Sequence, residues 1–164
     1  MNFDEDTYTK LILYILSKSY NKPNLGKTVL CTLLYFIDFN YYEQYGKLLT
    51  KETYLKSKKG IKPEHFSKIT QDMIDRKQLF LRREPYYNRI LHRYYLTVIP
   101  HVKFSKKELQ IIDPSLDRLI DNNASAMARY TRNDPPFYIA RLGEKIDCRY
   151  VLLRNMQYSI RIKK

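Results

Sequence analysis

The 164-residue chain predicts an α+β fold, a helix-rich single domain with a small antiparallel β-hairpin. Three observations point there. Apolar residues recur at helical spacing through most of the chain, two β-rich runs flank a turn containing proline and asparagine, and a capping box opens a further helical stretch beyond them.

In chain order, Tyr8, Leu11, Ile12, Ile15 and Leu16 follow the i, i+3, i+4, i+7, i+8 pattern and predict a helix from about Thr7 to Ser19. Thr7 is available as its cap, and Asp4, Glu5 and Asp6 suit its positive end. Pro23 and Asn24 mark a turn, after which Leu30, Leu33, Leu34, Ile37 and Tyr41 predict a long, apolar, central helix that Gly46 ends. Between Lys47 and Gly60, Thr50, Thr53 and Tyr54 favour a short edge strand. Pro63 is expected in the first turn of a third helix with Phe66, Ile69, Met73 and Ile74 on its apolar side. Gln78 to Arg83 and Ile90 to Val98 read as an antiparallel hairpin turning through residues 84–88. Ser105 and Glu108 form a capping box ahead of Leu109, Ile111 and Ile112. Asp113-Pro114 is expected to kink or split that helix before Leu116, Leu119 and Ile120 resume the apolar face. A short helix follows from about Ala124 to Tyr130, then a loop over residues 133–137, and Tyr150 to Leu153 has the composition of a strand.

Composition limits the function classes. With 44% hydrophobic and 29% charged residues the chain has the material for a packed core, which excludes a disordered polybasic tail. The longest apolar run, Val29 to Ile37, is interrupted by Thr32 and falls short of a membrane span, so no membrane role is expected. The acidic start at residues 4–6 is unlike a secretory leader, which places the chain in the cytoplasm. Cys31 and Cys148 have no metal or disulfide spacing and read as structural thiols. The formal charge of +13 divides unevenly: residues 1–50 are neutral, 51–103 carry +8 and 104–164 carry +5. A field of one sign steers a polyanionic partner, nucleic acid or acidic protein, without identifying it.

No catalytic constellation stands out. Gly26-Lys27-Thr28 resembles the end of a phosphate-binding loop, but Asn21 stands where that loop needs its first glycine, and a helix precedes it instead of a strand. His65, His92 and His101 are not grouped at ligand spacing, so neither a metal nor a cofactor is expected. The best enzymatic candidate is an RNA-cleaving set on the hairpin, His92, Arg93, Tyr94 and Glu84, against which stands the ordinary alternation of a half-solvated strand. Asp38 closes the apolar run of the central helix. A lone carboxylate there is expected to act as a structural tie to a neighbouring loop. The 16 tyrosines, paired at 41–42, 86–87 and 94–95, suit base stacking, protein interfaces or core packing alike.

Two segments together resemble a known family. The first is Gly26-Lys27-Thr28 with Leu33-Leu34-Tyr35-Phe36-Ile37-Asp38-Phe39, Tyr45-Gly46 and Thr50-Lys51-Glu52-Thr53-Tyr54. The second is Asp134-Pro135-Pro136-Phe137 with Gly143-Glu144-Lys145-Ile146-Asp147 and Tyr150-Val151. In order and spacing they resemble the Panacea antitoxin domain, SocA-like and related to the phage-associated protein GepA, over about Leu11 to Arg154. Phe137 stands at the position of that family's tryptophan. The resemblance implies an antitoxin that neutralises a cognate toxin encoded nearby by direct protein contact, and no enzyme. Tyr86, Tyr87, Arg89, Phe137 and Tyr138 are the expected toxin-interface residues, being aromatic and arginine anchors. The alternative from another class is a winged-helix-like nucleic-acid-binding regulator, suggested by the third helix, the hairpin and the basic middle section.

Overall fold

The computed structural model describes residues 2–20, 22 and 24–160. Helix α1 spans Glu5–Lys18, α2 Lys27–Tyr45, α3 Phe66–Asp75, α4 Lys106–Leu119, α5 Ala124–Arg132 and α6 Pro135–Ile139, and a 3-10 helix covers Cys148–Leu153. Two antiparallel hairpins complete the α+β fold: β1 Tyr54–Ser57 with β2 Gly60–Pro63, and β3 Leu79–Tyr86 with β4 Arg89–Leu96. Among the described residues no helix is long and apolar enough to cross a membrane.

Helix α2 is the axis of the molecule. It buries 14 of its 19 residues and packs against α1, α4, α5, β2, β4 and the 3-10 helix, as a helix apolar on every side must. Gly46 ends it in the left-handed conformation, φ 72°, and its N–H donates to the Tyr42 carbonyl. At the other end Gly26 lets the hairpin approach: a Cβ there would meet the Leu91 side chain at 2.3 Å.

Several elements differ from their sequence expectation for identifiable reasons. Helix α1 begins before Thr7, because the Asp4 carboxylate is the cap, accepting from the Thr7 N–H and hydroxyl at 3.1 and 2.8 Å. Strand β1 is not at an edge. Segment 143–146 lies along its free side, with Lys56 N–H donating to the Glu144 carbonyl and Ile146 N–H to the Tyr54 carbonyl. Pro63 ends the outer strand β2, where no ladder donor is needed, and α3 starts at Phe66. Strands β3 and β4 extend through Glu84, Pro85 and Tyr86, and the turn shrinks to Tyr87 and Asn88 because Tyr87 adopts φ 54°. Helix α4 opens on the Ser105–Glu108 capping box and then runs through Pro114 unbroken. Pro114 and Gln110 both lie on its solvent side, where the carbonyl that proline leaves without a donor is not forced into the core. Asp134 and Pro135 turn the expected 133–137 loop into the start of α6, proline being suited to a first helical turn. The expected strand at Tyr150–Leu153 is the 3-10 helix, capped by the Asp147 carboxylate on the Arg149 N–H; it has no strand partner and buries only Val151.

Candidate partner-binding cleft

Two buried polar clusters hold the surface that follows. In the first, Asp38 on α2 is fully buried and its carboxylate accepts from Thr50 N–H at 2.8 Å, Thr50 Oγ1 at 2.5 Å and Tyr54 OH at 2.5 Å. These contacts join the centre of α2 to the chain leading into β1. Burial pushes the Asp38 carboxyl up to about 6, partly offset by the Thr50 and Tyr54 hydrogen bonds. In the second, Arg154 reaches back from beyond the 3-10 helix and clamps Asp134 through Nε and Nη2 at 2.7 and 2.9 Å, while Nη1 donates to Asn40 Oδ1 at 2.7 Å and Glu43 Oε1 at 3.1 Å. Tyr35 OH donates to the same Asp134 at 2.7 Å. Three residues of α2, Tyr35, Asn40 and Glu43, and α6's capping position are thereby tied to the C-terminal segment.

Above these clusters lies a cleft of about 610 Å³ between the β1–β2 turn and helices α5 and α6. Lys58, Lys59 and Arg132 are exposed on its rim, and among the described residues no carboxylate lines it. Phe137, Tyr138 and Leu142 form its apolar wall, with Tyr138 73% and Leu142 61% exposed. The wall is fastened by Lys56, whose ammonium donates to the Phe137 and Ala140 carbonyls at 3.0 and 2.9 Å and sits 4.6 Å from the Phe137 ring centroid. It neutralises the negative end of α6 and stacks on its aromatic residue. Lys56→Met keeps the apolar stem but loses both charged bonds. The expected result is a loss of about 1–2 kcal/mol in urea unfolding, half-burial and water access keeping it below a fully buried pair.

The structure divides the five residues expected at a toxin interface between two places. Phe137 and Tyr138 line the cleft, although Phe137 is only 6% exposed and Tyr138 carries the accessible ring. Tyr86, Tyr87 and Arg89 form the tip of the β3–β4 hairpin, which packs on α1, α2 and α3, whereas α6 packs on α5 and the 3-10 helix. The RNA-cleaving set does not converge: His92 and Tyr94 point to one face of β4, Arg93 to the other with its partner Glu84, and Tyr94 is buried. Cys31 is buried, which pushes its thiol up to about 12, and burial raises Cys148 also. Glu52, Glu64 and His65 bring three potential metal ligands within 4.8 Å of one another. The Glu52 oxygens, however, accept from Thr53 N–H, His65 N–H and His65 Nδ1, at 2.6 Å for the ring, and Phe3 stacks on that ring, so the group serves as a structural contact. Sequence reading missed Arg154, whose partners lie 20, 111 and 114 residues away; its one signal is an arginine closing an apolar run.

A family model described as antitoxin SocA-like, Panacea domain, matches residues 30–137, two thirds of the chain. The chain belongs to this family. Asp38, Thr50, Tyr54 and Asp134 all fall within the matched residues, so the antitoxin domain's own span supplies the first cluster whole and the acceptor of the second. Leu142, the 143–146 segment and Arg154 lie beyond it. No curated protein and no solved structure matches the chain. The Panacea domain's family assignment gives it an antitoxin-type role.

Proposed function

We propose that the 164 residues act as one cytoplasmic antitoxin domain that neutralises a cognate toxin encoded nearby by direct contact, by binding and not by catalysis, with no cofactor. The cleft is the contact surface. The observation that carries this reading is the pairing of exposed Tyr138 and Leu142 with Lys58, Lys59 and Arg132 around a concavity that no carboxylate of the described residues lines. Such a surface complements an apolar segment edged by acidic residues, with the rings and aliphatic groups supplying affinity and the cations steering approach. Lys56 and the Arg154 cluster make the wall rigid in advance, which lowers the ordering cost of association.

The test is co-expression with the neighbouring gene. Growth is expected to be arrested by that gene alone and restored when this chain is present. The double variant Tyr138→Ala, Leu142→Ala is expected to fold normally, since both residues are exposed, and to weaken toxin binding at least 30-fold, corresponding to about 2 kcal/mol for an interface anchor. Full protection by the double variant overturns the cleft assignment. A toxin that stays active beside the unaltered chain overturns the antitoxin reading.

A further inference from the structure

The β3–β4 hairpin offers a second surface that the cleft does not use. Its register sets Phe80 opposite Tyr95, Arg82 opposite Arg93, Glu84 opposite Leu91 and Tyr86 opposite Arg89, and since alternate residues share a side, these eight occupy one face of the ribbon. Along it a ring pair is followed by an arginine pair, then by Glu84 and Leu91, then by Tyr86 and Arg89. Leu91 packs against Gly26 and Arg93, its side chain 13% exposed, donates to the Tyr20 carbonyl, so the accessible groups are Phe80, Arg82, Tyr86 and Arg89. Phe80 and Tyr95 are stacked, centroids 5.2 Å apart at 16°, and the Arg93 guanidinium lies 5.0 Å from the Tyr95 ring. The only carboxylate, Glu84, is spent on that end: it accepts from the Tyr95 hydroxyl and faces Arg93 at 3.8 Å. Arg82 is left directly across from a second arginine, exposed and without an ion pair among the described residues, as are Arg83 and Arg89. Arg76 and Lys77, both exposed, continue the basic line at the foot of β3.

Like charges directly opposite each other on a ribbon destabilise it; Glu84 answers Arg93, which leaves the exposed Arg82 guanidinium as the charge that an added anion would meet. An acidic protein face would answer the charge through the arginines alone. A nucleic acid strand uses both, phosphates on arginine and bases on aromatic faces. We propose that this face of the hairpin binds single-stranded nucleic acid, with Arg82 and Arg89 on phosphates and Phe80 and Tyr86 as the stacking platform, Tyr95 backing the Phe80 ring. The assignment is independent of the cleft and of its toxin.

The test uses the full chain and fluorescein-labelled 20-nucleotide probes, oligo(dT), oligo(U) and a 20-base-pair duplex, read by anisotropy between 50 and 300 mM salt. Binding to both single strands is expected, with log affinity falling linearly in log salt at roughly 0.7 per phosphate engaged. Arg82→Gln is expected to lower affinity several-fold and flatten that slope by about 0.7, whereas Phe80→Ala lowers affinity about tenfold with the slope unchanged. Unaltered thermal melting of both variants shows that folding is not the cause. Absence of salt-dependent binding, equal affinity of either variant and the unaltered chain, or tighter binding of the duplex overturns the proposal. So does loss of toxin protection in Arg82→Gln with oligonucleotide affinity intact, which assigns the ribbon to the protein partner.

Discussion

Arg154→Met is expected to destabilise the protein by about 3–5 kcal/mol, because it strands buried carboxylates. The Arg154 side chain is fully buried, as are those of its partners Glu43 and Asp134. Burial alone opposes the charged guanidinium, yet the two-pronged contact with Asp134 outweighs it and holds the group above its usual pKa. With methionine in place, Asp134 keeps, among the described residues, the Tyr35 hydroxyl, and Glu43 keeps the Ser159 hydroxyl and the Ile160 N–H. A domain of this size has roughly 5–15 kcal/mol to lose, so the variant sits near the edge of folding. Urea unfolding measures it, and a thermal midpoint about 10 °C lower is the companion result. Arg154→Lys is expected to recover only part of the loss, since one ammonium cannot reproduce the fork that spans Asp134 while reaching Asn40. A loss below 1 kcal/mol in Arg154→Met overturns the assignment of this cluster as the anchor of α6.

Asp38→Ala is expected to cost about 3–5 kcal/mol, because it removes the acceptor of three buried donors at once: the Thr50 N–H, the Thr50 hydroxyl and the Tyr54 hydroxyl. Its pH dependence distinguishes the carboxylate from a merely space-filling role. Burial raises the folded-state Asp38 from its ordinary 3.8 to about 6, so the folded chain holds this proton more tightly than the unfolded chain does. Its contribution to stability is therefore fullest below about pH 4 and is lost as the pH rises through about 6. A shift of roughly two units corresponds to about 3 kcal/mol. Measured against Asp38→Asn, which does not titrate, the unaltered protein is expected to gain stability as the pH falls from 7 to 4. A difference between the two that stays constant over that range overturns the raised value.

The elements that local patterning made legible are those whose register depends on near neighbours. The spacing of Tyr8, Leu11, Ile12, Ile15 and Leu16 reports a buried helix stripe, the Ser105–Glu108 box sets the start of α4, and Gly46 stops α2, each within a turn or two of chain. The misread elements are those decided by partners far away in sequence. Strand β1 is interior because 143–146 comes back to it, and Tyr150–Leu153 coils with no strand paired to it among the described residues. The same division runs through the candidate site. Phe137 and Tyr138 were readable as anchors from their chemistry, but not the depth of Phe137 beneath Lys56, nor the separation of α6 from the hairpin tip.

Composition and spacing alone thus account for the helix-rich α+β class, the apolar central helix, the hairpin and the basic bias after residue 50, since each is a property of local propensity or of a running sum of charge. Folding in three dimensions alone supplies the cleft, the Lys56 fastening and the Arg154 cluster. Each of these is a contact between segments tens of residues apart, and burial of a charge is stable only where the returning chain delivers its partners together.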